Sequence, residues 1–202
     1  MINAIKQYNS NKSHIEAYGK LFVLLEQNIP VLSPQREELL RAQIVMAVSA
    51  VDTFFHNVVK IGLLQIFNGS RPIGKAASYP IELLDVISIN RENDSYRKQL
   101  LLENAIMKIS SKDSYQSAAS IEYAVGLLGI KGIWTKLSPL MGIPAEDIKN
   151  KISLIVRRRN QIAHESDINP ATMLRYPITK ADANDVVDFL DKFVNSVYNL
   201  LK

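Results

Sequence analysis

An all-α fold, a helical bundle of two or three long helices with shorter helices between them, is predicted by three features of the 202-residue sequence. Apolar residues recur at three- and four-residue steps along most of the chain, and the alternation of a half-buried strand is nearly absent. The punctuation between periodic stretches is that of helices: Ser33-Pro34, Pro144 followed by Glu146 and Asp147, and Thr179 before a long amphipathic run. An apolar fraction of 47% with a charged fraction of 22% is that of an ordinary globular chain, which argues against disorder along its length.

The elements follow in order. A first helix is expected over Ser13 to Asn28, with Ile15, Tyr18, Phe22, Leu25 and Ile29 on one face. Pro30 to Pro34 interrupts the pattern, and Ser33-Pro34 restarts it with a capping hydroxyl and a proline at the first helical position. The second helix runs to Phe67 on the stripe Leu40, Ile44, Ala47, Val51, Phe54, Val58 and Ile61, which suits burial among partner helices. Asn68 to Pro80 carries the Gly, Pro and Ser of a loop. Shorter helices are expected over Pro80–Ile89, Ser95–Ile109, Gln116–Leu128 and Ile133–Met141. Pro144 opens a long helix reaching His164, with two acids in its favourable first turn. Ser166 to Pro177 is polar and turn-rich. Thr179 then caps a last helix whose apolar face is Val186, Val187, Leu190, Phe193, Val194, Val197 and Leu201. No internal repeat or domain boundary interrupts this series, so residues 1–202 are expected to form a single domain.

The formal net charge of +4 suits a polyanionic partner without demanding one. The absence of cysteine excludes disulfides, thiolate nucleophiles and thiolate metal sites. No residue cluster has metal-ligand spacing, so no metal and no cofactor are expected. Met1 to Ser13 lacks the apolar stretch of a secretory signal, and the longest apolar run, Ile44 to Val51, is too short to span a bilayer. A soluble, cytoplasmic protein without membrane contact is the expectation.

Chemistry concentrates in Arg159-Asn160-Gln161-Ile162-Ala163-His164, at the end of a predicted helix. On a wheel of about 100° per residue, Arg159 falls in the middle of the face formed by Ile148, Ile152, Ile155, Val156 and Ile162. A guanidinium among isoleucines is costly unless it is paired or a ligand awaits it. It either snorkels or makes a structural ion pair, or it grips an anion such as phosphate through parallel hydrogen bonds. His164 lies five residues on, about 140° round an ideal helix, so the two do not line one face. A two-fold homodimer bringing two motifs together is the easiest way to join them. Glu165 adds a neighbouring negative charge.

Asp52 lies beside the apolar stripe of the second helix and calls for a partner: Arg159 across a helix interface, or a local contact with Arg41 or His56. Lys149, Lys151, Arg157 and Arg158 form a basic cluster that either tracks a nucleic-acid backbone or is simply solvated. Tyr176, Tyr79 and Trp134 are suited to stacking bases or to packing.

The motif resembles the HEPN superfamily signature, R-x(4–6)-H with a polar residue, often Asn, after the arginine. The stretch WTKLSPLMGIPAEDIKNKISLIVRRRNQIAHESD is similar to the RiboL-PSP-HEPN group, in which a short Trp-containing helix precedes a double-arginine motif. REELLRAQIVMAVSAVDTFFHNVV resembles that group's long helix with its embedded Asp and His, here Asp52 and His56. The resemblance implies a HEPN-like all-α domain with metal-independent endoribonuclease activity, in a toxin–antitoxin, phage-defence or stress-response setting. RNA is the implied partner, together with a second copy of the chain and an antitoxin protein. Carried over, Arg159 would stabilise phosphate charge, His164 would move a proton, and Asn160 would orient either. Asp52, His56 and Glu165 would support them, and Arg157, Arg158 and Lys151 would hold the RNA backbone. The tyrosine that often stands two residues after the histidine in nucleotidyltransferase-paired HEPN proteins is Ser166 here. Some HEPN domains are catalytically silent RNA- or nucleotide-binding or dimerisation modules, and the intact Arg–Asn–His set argues against that here.

Overall fold

The computed structural model spans residues 1–202 and describes all of them apart from the side chains of Pro30, Ser33 and Pro34. The hydroxyl cap expected at Ser33 and the role expected of Pro34 lie outside the described residues. The elements are α1 (Ile2–Asn28), α2 (Ser33–Phe67), α3 (Leu83–Arg91), α4 (Ser95–Ser110), α5 (Ala118–Leu127), α6 (Ile133–Met141), α7 (Ala145–His164) and α8 (Lys180–Leu201), with short 3-10 turns at Pro30–Leu32 and Gly74–Ser78. Among the described residues there is no β-strand; Ile168 and Arg175 form one isolated antiparallel bridge. The fold is all-α.

The largest departure from the sequence reading is α1, which begins at Ile2 rather than near Ser13. Ala4, Ile5 and Tyr8 are buried at helical spacing, and the polar residues between them occupy the outer face. Burial, and after it the charges of Asp191 and Glu16, push the Tyr8 hydroxyl well above the ordinary tyrosine value.

Helix α2 is the axis of the bundle: α1, α4, α5, α7 and α8 all pack on it. Among the described residues its span Gln35–Phe67 is the one helix long and apolar enough to cross a bilayer, and half of its most apolar window is buried against the other helices. Phe54, Phe55, Val58 and Val59 are wholly enclosed there. Each such side chain contributes roughly 1.5–3 kcal/mol through the water it sheds. Gly62 permits the closest approach, because a Cβ at that position would lie 2.2 Å from Leu128 Cδ2. Trp134 of α6 stacks on Phe193 of α8 and donates its indole N–H to Glu122, so this aromatic is core.

Two sets of contacts fix the direction of α7. Ile152 and Ile155 meet Val48 and Val51 of α2, whereas Ile162, nearer the end of α7, packs beside Leu40 and Ile44. The two helices therefore run antiparallel. The second of these contacts belongs to a small apolar cluster of Phe22, Leu40, Ile44, Ile178 and Ala183, which seats the end of α7 and the start of α8. The start of α8 carries the predicted cap: Thr179 Oγ1 accepts the Asp182 amide, and Asp182 accepts the Thr179 amide in return.

Candidate functional site

Ile148, Ile152 and Ile155 are buried on the face of α7 that meets the bundle, with Val156 and Ile162 partly so. Arg159 continues that face and is half-buried, as the wheel requires. Its Nη1 donates to Asn160 Oδ1 at 2.9 Å. Its Nε is buried and has no hydrogen-bond partner. Among the described residues no carboxylate pairs with it. The guanidinium is thus held by its neighbour and left with unspent donors.

His164 is the last residue of α7, exposed, with exposed Glu165 beside it. Among the described residues no hydrogen bond or ion pair joins His164 to Arg159, in keeping with their separation round the helix. The structure brings Arg159 and Asn160 together and leaves the imidazole at the open end of the same helix.

What stops the helix there is a carboxylate the sequence reading did not select. The amides of Glu165 and Asp167 both donate to the Gln161 carbonyl, at 3.1 and 3.0 Å. Ser166 and Asp167 adopt left-handed backbone conformations, with φ of 54° and 58°. Asp167 is only 1% exposed. One of its oxygens accepts Arg41 Nε at 2.7 Å and Arg158 Nη2 at 2.9 Å, and the other accepts Arg158 Nη1. Arg41, itself 2% exposed, also donates to the Tyr176 carbonyl at 2.7 Å and lies near Glu37 and Glu38. The signal for this knot was Arg41, a cation beside Leu40 and Ile44 on the apolar face of α2, which had to find an acid.

The remaining predicted residues are placed as follows. Arg158 is committed to Asp167 and lies over the Tyr176 ring, 5.7 Å from its centroid, so its guanidinium is engaged within the fold. Lys151 pairs with Asp185 at 2.9 Å and covers the Phe189 ring. Arg157 is exposed and, among the described residues, unpaired. Asp52 meets neither Arg159 nor Arg41: it accepts the Tyr115 amide at 2.6 Å and the Gln116 side chain at 3.3 Å, and of the expected partners only His56 comes near, with Nε2 at 3.9 Å. The His56 ring also meets the edge of Tyr115, 4.8 Å between centroids. Asp52 and His56 thereby tie α2 to the segment ahead of α5. Burial, then the Asp113 charge, raise the Tyr115 hydroxyl far above its ordinary value, so Tyr115 stays neutral beside them.

Among the described residues no group of three or more His, Cys, Asp or Glu side chains is arranged to hold a metal ion. A cleft of about 520 Å³ between α1, α2 and α8 contains none of the predicted site residues.

An all-α bundle whose long helix ends in Arg-Asn-x-x-x-His is a HEPN-type domain, and comparison with family models agrees. The model described as RiboL-PSP-HEPN matches residues 5–202, so the chain belongs to the RiboL-PSP-HEPN family. Neither a search of curated proteins nor one of solved structures finds a match.

Proposed function

We propose that the protein is a metal-independent endoribonuclease acting through Arg159, Asn160 and His164. One observation carries the reading: a half-buried guanidinium with an enclosed, unpartnered Nε–H and no carboxylate beside it. Such a group is a standing demand for an anion, and a phosphodiester supplies one in the matching planar geometry.

In the reaction the RNA 2′-oxygen bonds to the adjacent phosphorus as the bond to the 5′-oxygen breaks. One proton leaves the 2′-hydroxyl and one reaches the 5′-oxygen, giving a 2′,3′-cyclic phosphate and a 5′-hydroxyl. Arg159 offsets the charge growing on the phosphate oxygens. Asn160, bonded to it, holds its orientation. His164 carries one of the two protons, as base or as acid. Because one chain directs Arg159 inward and His164 outward, the complete site needs two copies related by a two-fold axis. Arg157, exposed at the same helix, adds a backbone contact. A cytoplasmic setting with an antitoxin partner covering the motif accords with this activity.

The test is incubation of the purified protein with end-labelled RNA in EDTA, beside Arg159→Ala and His164→Ala. Cleavage with cyclic-phosphate ends is expected from wild type alone. Indistinguishable digestion by all three overturns the reading. The divergent directions of Arg159 and His164 in one chain favour a second reading, a non-catalytic RNA- or nucleotide-binding module. That reading predicts salt-dependent RNA binding, weakened by Arg157→Ala, with no scission.

A further inference from the structure

We propose that Asp167 is a positioning residue: with Arg41 and Arg158 it clamps the end of α7 and thereby sets the place of His164. The inference rests on the reading that His164 acts on RNA, and it reassigns Arg158 from the RNA to the clamp.

Helix ends ordinarily fray. This one is held on three sides. Within α7, the Gln161 carbonyl receives the amides of Glu165 and Asp167, and the Ile168 amide closes onto the Glu165 carbonyl at 3.2 Å. From α2, Arg41 reaches Asp167 across 126 residues of sequence. From the following loop, the Tyr176 amide donates to the Asp167 carbonyl at 2.8 Å, while the Tyr176 carbonyl accepts Arg41. His164 lies three residues before the carboxylate and inside the turn being held.

The backbone is unusual at the same place. Ser166 and Asp167 are consecutive non-glycine residues at positive φ, a conformation that persists where surrounding contacts over-determine it. Arg158 contributes a second effect. Its fork is spent on Asp167, and its ring contact with Tyr176 holds it there. The next residue, about 100° further round, is thereby directed into the α2 interface. One carboxylate thus sets where the imidazole stands and keeps the neighbouring arginine from competing for it.

Two variants separate positioning from mere support of the fold. Asp167→Asn leaves Arg41 and Arg158 without a carboxylate between them and carries a risk of unfolding. Arg158→Gln keeps the Arg41–Asp167 pair and is the variant on which the test depends. The chain has three histidines, His14, His56 and His164, so the imidazole proton resonances report all three at once. In folded Arg158→Gln the His164 resonances should move while those of His14 and His56 stay, and the Glu165 and Asp167 amides should exchange about tenfold faster. For RNA cleavage, kcat should fall about tenfold with KM nearly unchanged. An unmoved His164 signal overturns the proposal. So does an unchanged kcat with a raised, salt-sensitive KM, which would return Arg158 to the phosphate backbone. Should wild type prove unable to cleave RNA, the ribonuclease reading fails, while the resonance and exchange measurements still decide whether the clamp holds His164.

Discussion

Arg158 and Arg159 are adjacent in sequence and opposite in circumstance. Arg158 makes two bonds to Asp167, touches the Pro177 carbonyl at 3.4 Å and lies over Tyr176. Arg159 has one bond, to its neighbour Asn160, and keeps a buried donor empty. A cation paired in both arms of its fork with a buried carboxylate is part of the fold. One left incomplete costs about 1–3 kcal/mol for its unsatisfied group, and such a departure gathers where something else is meant to bind. On the proposed reading, a carboxylate beside Arg159 would complete its bonding and leave it less able to hold a phosphate.

The contrast breaks most severely at the paired side. Asp167→Ala leaves two cations, one of them 2% exposed, with no acid between them. A loss of about 3–5 kcal/mol is expected, read from the midpoint of urea unfolding at constant m. A loss below about 1 kcal/mol would mean that the knot is a surface arrangement.

Asp52 sharpens the comparison from the carboxylate side. It is bonded chiefly to an amide and a carboxamide, with His56 at the edge of reach. Asp52→Asn removes the charge and turns one of the two accepting oxygens into a donor, so it keeps the Tyr115 amide bond at the expense of the longer one from Gln116. The expected loss is about 1–2 kcal/mol, measured in the same way. A loss equal to that of Asp167→Ala would show that His56, and not the two amide groups, is its main partner.

Thr179→Ala should cost about 1 kcal/mol by removing the cap of α8. Hydrogen bonds from the Thr179 side chain and backbone hold the Asp182 carboxyl below the usual carboxylate range. A depressed folded value means that its contribution is present at neutral pH and lost as the pH falls through that value. Wild type should therefore lose a small, solvent-screened increment of stability in the acid limb below about pH 4, and Thr179→Ala should lose less there. Parallel acid limbs for the two proteins would break the link.

These effects also explain what was legible in the sequence. The boundaries of α6 and α8, the cap at Thr179 and the inward face of Arg159 all depend on residues within a turn or two of each other. Periodicity and capping report such neighbours directly. The first half of α1 was hidden because Asn9, Ser10, Asn11 and Lys12 crowd the stretch between Tyr8 and Ile15. Asp167 was invisible for a different reason. It stands among Ser166, Asn169 and Pro170, a composition that reads as loop, and one of its two arginines lies 126 residues away. For the same reason the sequence offers Asp52 only Arg159, Arg41 or His56, when its hydrogen-bond partners are the amide groups of Tyr115 and Gln116 brought in by the fold.

The smallest change in stability should accompany the largest change in function. Arg159→Met keeps a long apolar stem on the face shared with Ile152, Ile155 and Val156 and deletes the donor that nothing satisfies. The lost bond to Asn160 opposes this, and it is a single bond at a half-exposed position. The sum should lie within about 1 kcal/mol of wild type and lean towards stabilisation. RNA affinity should fall in the same protein. A non-cleavable oligonucleotide at a hundred times its Kd should stabilise wild type by about 2.7 kcal/mol and leave Arg159→Met unmoved. If Arg159→Met unfolds as readily as Asp167→Ala, then Arg159 is a second structural arginine, and the difference between the two sides of α7 does not exist.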